Sequence, residues 1–153
     1  MEDNFINGKQ IYSYLPNRYP FIMIDKVDEL IPNVSAKGYK YITANDWFFQ
    51  NVTKTDQILP QSLQIECLEE LLILCVTSKN KKKNSTKFVS VDVKFFGNIS
   101  LGDKLTVKTK VNFWNRGILK GAGFSEINGK LICEAKMVVS FPEIVNKYLP
   151  KRS

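Results

Sequence analysis

Histidine is absent from the 153-residue chain. No side chain can therefore supply an imidazole, which removes the most frequent general base and neutral-pH switch from any mechanism. Cysteine is scarce, and Cys67, Cys75 and Cys133 are odd in number and lack the paired spacing of a metal site. Each lies in an apolar segment, so three packed thiols are expected. The chain is basic, with 22 Lys and Arg against 15 Asp and Glu and a net charge of +7. That balance favours acidic partners. No helix-turn-helix, zinc, RNP or glycine-rich phosphate signature accompanies it, so nucleic acid is not the expected one. The amino terminus, MEDNFINGKQ, lacks a basic start followed by an apolar run, and a cytoplasmic protein is expected. Leu59–Ser78 is the longest apolar stretch, too short and too acidic at Glu66, Glu69 and Glu70 to span a membrane. A composition of 44% hydrophobic and 24% charged residues predicts one globular domain over residues 1–153.

What is present is one long helix and several strands. Pro60 suits a first helical turn, and neither Gly nor Pro interrupts the chain until well past Ser78. Leu63, Ile65, Leu68, Leu71, Leu72, Ile73, Leu74 and Val76 point all round the axis, so the helix must be wrapped, and a sheet is the expected wrapper. Upstream, Phe21–Ile31 and Val34–Thr43 read as a hairpin turned at Pro32-Asn33. The segment from Ala44 to Ile58 is polar and irregular apart from Trp47, Phe48 and Phe49. Downstream, Lys87–Phe95 reads as a strand. Leu105, Val107, Val111 and Phe113 share one face of the next, and Leu131, Cys133, Ala135, Met137, Val139 and Phe141 one face of the last, which Pro142 ends. Asn128-Gly129 supplies a two-residue hairpin turn. The order predicts an α+β hotdog fold, a curved antiparallel sheet around one helix.

Leu15-Pro16-Asn17-Arg18-Tyr19-Pro20-Phe21 followed by Asp25-Lys26-Val27 resembles the LPHRYPF…DRV opening of the short single-hotdog 3-hydroxyacyl-[acyl-carrier-protein] dehydratases. Phe48-Phe49-Gln50 resembles the family's FFQ. Pro60 and Glu66 resemble the Pro and Glu of its PG…IEAMAQ helix, and Val93-Lys94-Phe95…Gly102-Asp103…Leu105 its VKF…PGD.L. Asn128-Gly129-Lys130…Glu134-Ala135 is similar to the last hairpin, so the resemblance runs from about Ile11 to Phe141. It implies a dimer or higher oligomer, acyl thioesters and acyl carrier protein as partners, and no cofactor or metal.

The departures fall at the chemistry. In the family, FFQ is followed by GHFPG, whose His takes the α-proton while the helix Glu of the partner subunit assists loss of the β-hydroxyl. Here that loop is Asn51-Val52-Thr53-Lys54-Thr55, with Val52 at the His position, and Gln61 replaces the Gly after the helix Pro. Glu66 keeps the family's acid position, or acts as a base on water, or is a structural carboxylate near a helix start. Glu69 and Glu70 read as structural, and Lys54 and Asp56 as the loop candidates for a substitute base. Phe49, Pro60, Gln61, Tyr19 and Phe95 are the candidate binding positions. Lys79, Lys81, Lys82 and Lys83 are either a solvated loop or a docking patch for acidic acyl carrier protein. The favoured expectation is a dehydratase homologue inactive alone, binding acyl groups or forming a heterodimer with a catalytic paralogue. The alternatives are a thioesterase or dehydratase with altered chemistry, and a structural or nucleic-acid-associated basic hotdog protein.

Overall fold

A computed structural model describes residues 5–50, 57–80 and 82–150. Val52, Lys54, Asp56 and Lys81 lie outside the described residues. Short helix α1 (Gly8–Tyr14) leads to strands β1 (Lys26–Ile31) and β2 (Ser35–Tyr41), a 3-10 turn (Trp47–Phe49) and the long helix α2 (Gln61–Thr77). Strands β3 (Lys87–Phe95), β4 (Lys104–Asn115), β5 (Ile118–Ile127) and β6 (Lys130–Ser140) follow, then the single turn α3 (Pro142–Val145). The six strands form one antiparallel sheet in the order β1-β2-β4-β5-β6-β3, with α2 on its inner face. This is the expected hotdog architecture.

From Cys67 to Thr77 every residue of α2 is buried, charged ones included. The sheet admits the helix because β5 presents backbone in place of side chains. A Cβ at Gly121 would lie 2.5 Å from Leu72 Cδ1 and 2.8 Å from the Lys110 carbonyl oxygen, and one at Gly123 would lie 3.0 Å from Leu68 Cδ2. At the other end of α2, Leu63 and Ile65 are only half-buried, because the first turns are incompletely covered. Pro60 stands just before the helix, not within it, and Gln61 opens it.

Three strand assignments shift for local reasons. The first strand begins at Lys26, not Phe21, because the Met23 N–H is bonded to a side chain of α2 and the preceding residues form a loop. A bulge between Val111 and Phe113 reverses the alternation of β4. Phe113 therefore faces solvent, and Trp114 packs edge-to-face on Phe141 at 4.9 Å. A second irregularity opposite Ser125–Glu126 puts Ile132 in the core and Leu131 outside. Both tight hairpins use positive φ: Asn128-Gly129 as expected (50° and 78°), and Arg116-Gly117 (49° and 82°), which joins β4 to β5.

Gly121→Ala should destabilise the protein by about 1–3 kcal/mol, as overpacking of a closed helix–sheet contact does. Urea denaturation measures it, and an unchanged midpoint would show that α2 can move off the sheet.

Candidate active site

The candidate site is built on the first half of α2 and on the loop between α1 and β1. Helical spacing puts Glu66 and Glu70 on one face. The loop places Asn17 against both. Its Nδ2 lies 3.2 Å from Glu66 Oε1, 3.1 Å from Glu70 Oε1 and 3.2 Å from the Phe21 carbonyl oxygen. Glu70 is 1% exposed, and its Oε2 accepts the Met23 N–H at 2.8 Å. One amide group and one backbone N–H thus hold two carboxyl groups in a largely dry place.

Burial sets the protonation state. It raises the Glu70 carboxyl well above the ordinary value, and the neighbouring Glu66 and Glu69 charges push the same way against the Met23 and Asn17 hydrogen bonds. Glu66 is half-buried and is raised by burial, with the Asn17 bond opposing. Glu69, also buried, is raised to about 7 by burial and by the charge of Glu66. Three carboxyls packed this way cannot all ionise cheaply, so the cluster retains a proton near neutral pH.

A buried cation braces the segment before the 3-10 turn. Lys40 points inward from β2, with Nζ 3.5 Å from Asp46 Oδ1 and 3.9 Å from Asp25 Oδ1. Those carboxylates also accept the Thr43 and Tyr41 N–H groups at 2.8 and 2.7 Å. Lys40 therefore ties β2 to the segment that carries Trp47, Phe48 and Phe49. Trp47 in turn donates Nε1–H to the Pro20 carbonyl at 3.0 Å and meets Phe21 edge-on at 6.0 Å. The opening motif and the FFQ segment are thereby joined.

The other expected site residues are placed as follows. Phe49 is buried in the core. Tyr19 is 72% exposed, and Arg18 turns back onto the carbonyls of Leu15 and Asn17 at 3.0 and 2.7 Å. Pro60 and Gln61 are exposed at the start of α2, and Phe95 is half-buried at the end of β3. Lys79, Lys82 and Lys83 are exposed just after α2. Sequence reading missed Lys40, and it left Asn17 inside a motif and Glu70 as structural. A signal was there: Asn17 stands where LPHRYPF has His, and Glu70 where IEAMAQ has Gln. The two altered positions touch.

The fold is that of the hotdog proteins. The FabA-like domain family matches residues 15–136, and the chain belongs to it. Among its relatives are the 3-hydroxyacyl-[acyl-carrier-protein] dehydratases FabZ of Roseiflexus castenholzii and Clostridium botulinum. The first is 31% identical over 87% of this chain and 94% of its own, the second 34% identical over 85% and 94%. In solved structures, the dehydratase heterocomplex ApeI:P from Xenorhabdus doucetiae shares the fold with a TM-score of 0.74 and 12% identity, covering 92% of this chain and 97% of that one. A hypothetical thioesterase with coenzyme A from Streptococcus pneumoniae shares it at 0.58 and 11%, covering 74% and 82%. Among the described residues, no helix is long and apolar enough to cross a membrane.

The raised carboxyls give stability a definite pH slope. As pH rises from the ordinary value of 4.5 to about 7, the unfolded chain releases the Glu69 proton while the folded chain keeps it, so stability falls across that window. Glu69→Gln should remove this loss. In urea denaturation the variant should gain on the order of 1–3 kcal/mol above neutral pH. The gain should vanish as pH falls toward 4.5. A variant less stable than the parent at neutral pH would show that the ionised carboxylate is stabilising.

Proposed function

We propose that this chain is a subunit of a 3-hydroxyacyl thioester dehydratase. It contributes Glu66 to a site that a histidine-bearing second chain completes, and it does not dehydrate substrate alone. The observation that carries this reading is Glu66 held by Asn17 on α2, in a chain without histidine. Dehydration needs a base for the α-proton and an acid for the departing β-hydroxyl. A carboxyl raised by burial is suited to the second task. Nothing in the composition supplies an imidazole for the first.

The route to a two-chain site is the free edge of β3. Among the described residues that strand pairs only with β6, which leaves a row of backbone groups on its other side, and it exposes Phe88, Val89 and Val91. Pairing two such edges satisfies the backbone and covers the apolar side chains. The fold neighbour from Xenorhabdus doucetiae is a dehydratase heterocomplex, which supports a reading with two unlike chains. Lys79, Lys82 and Lys83 make a positive surface that attracts an acidic acyl carrier protein. Reversing these three to Glu should weaken a carrier complex and flatten its salt dependence. Unchanged binding would reduce them to solvated lysines.

A second reading is favoured by Glu69 titrating at about 7 beside Glu66: carboxylates alone activate water, and the chain hydrolyses thioesters. One assay separates the two. Enoyl thioester formation and free thiol release are followed with the chain alone, with a FabZ dehydratase chain whose own Glu has been removed, and with Glu66→Gln. Enoyl product should appear only in the mixture, and Glu66→Gln should reduce it by about 10²–10⁴-fold. Val52→His alone should recover little, since Gln61 and the residues around Val52 also depart from the family motif. Family-like dehydration by the chain alone overturns the proposal, and thiol release by it favours hydrolysis.

A further inference from the structure

The outer face of the sheet carries an ordered array of lysines and aromatic rings that the dehydratase reading leaves unused. Strand register assembles it. One cross-strand row runs Lys37, Lys108, Phe124, Glu134, Lys94, and the next runs Ser35, Lys110, Ala122, Lys136, Asp92. Here a groove of about 580 Å³ is lined by Phe124 and Leu131, by Lys94, Lys108, Lys110 and Lys136, and by the carboxylates of Asp92 and Glu134. The volume is ample for a nucleotide-sized group.

The charge on this face is not balanced. Glu126 already holds Lys108 at 2.8 Å, and Glu29 holds Lys37 at 3.2 Å. That leaves Asp92 and Glu134 facing Lys94, Lys104, Lys110, Lys120 and Lys136, which form no ion pair among the described residues. Aromatic rings alternate with the cations. Lys104 Nζ lies 4.2 Å from the Tyr39 ring centroid, Lys108 Nζ 5.3 Å from that of Phe124, and Lys120 Nζ 5.6 Å from that of Phe113. Tyr41, Phe113 and Phe124 are exposed on the same face.

We propose that this outer face binds single-stranded nucleic acid, with bases stacked on the exposed rings and phosphates tracking the β4 lysines. Of the unpaired lysines, Lys110 and Lys136 lie two strands apart in one cross-strand row, about 9–10 Å from each other across Ala122. Cations that follow a backbone, interleaved with rings that stack bases, are the means by which sheet platforms take up single strands. An acidic protein would satisfy the lysines and leave the rings without a flat partner. Bases and phosphates satisfy both. The face lies across the sheet from Glu66, so this proposal and the dehydratase reading can fail separately.

The test is fluorescence anisotropy of a labelled oligothymidine of about 12 nucleotides with the full chain. Binding should be micromolar at about 50 mM salt and roughly 20–50-fold weaker at about 200 mM, as three or four single-strand phosphate contacts require. Reversal of Lys110 and Lys136 to Glu should weaken it tenfold or more. Phe124→Leu, which keeps an apolar side chain but loses the stacking surface, should weaken it about fivefold or more. Three results each overturn the proposal: no binding, Phe124→Leu binding as the parent does, or poly-glutamate competing as well as the unlabelled oligonucleotide. Equal loss on reversing Lys79, Lys82 and Lys83 would also overturn it, by showing attraction to net charge alone.

Discussion

The enclosure of α2 by a single curved sheet is the constraint on which the rest of this molecule depends. A helix buried all round from Cys67 to Thr77 leaves no solvent face for its polar residues, so each must find a partner within the layer or lose its charge. The sheet meets the helix through backbone at Gly121 and Gly123, and this closeness removes water from between them. Glu70 illustrates the result. Its two oxygens are satisfied by Asn17 and by the Met23 N–H, and the loop that brings those donors is held away from strand geometry in doing so.

The chemistry of the site follows from the same enclosure. Ordinary carboxylates on a solvated helix would be fully ionised at neutral pH, whereas burial raises Glu66, Glu69 and Glu70 together. The helix therefore stores a proton beside a half-buried acid. A proton donor needs a matched acceptor to complete an elimination, and a chain without histidine has none of the usual kind. The proposed two-chain site rests on these facts. It also gives the apolar edge of β3 a use, because a free edge beside exposed Phe88 and Val91 is costly to leave in water.

Much of the fold was legible in the sequence because strong periodicity and turn chemistry mark it. The central helix, the Asn128-Gly129 hairpin and the alternation of β6 from Cys133 onward are local signals, and the structure carries them. Strand β5 was not legible as an element, because Gly121, Ala122 and Gly123 place small residues where alternation would be read. The bulge after Val111 was equally hidden. It exchanges Phe113 for Trp114 in the core through pairing with β5, which no local pattern encodes. At the site, Glu66 was found through its motif. Asn17, Lys40 and the buried state of Glu70 depend on contacts between segments far apart in sequence, and only the fold brings them together.

The central claim is that the chain holds the acid of an elimination site and lacks its base, and α-proton exchange tests this most directly. A 3-hydroxyacyl thioester is incubated in deuterium oxide with the chain alone and with a histidine-bearing FabZ partner whose own Glu has been removed, and deuterium at the α-carbon and enoyl product are both read by mass spectrometry. Exchange requires the base and does not require net dehydration. The account predicts no exchange above the uncatalysed background with the chain alone, exchange in the mixture that persists in Glu66→Gln, and enoyl product in the mixture that Glu66→Gln abolishes. Exchange by the isolated chain at the rate of its FabZ relatives would contradict it and place a working base within this sequence.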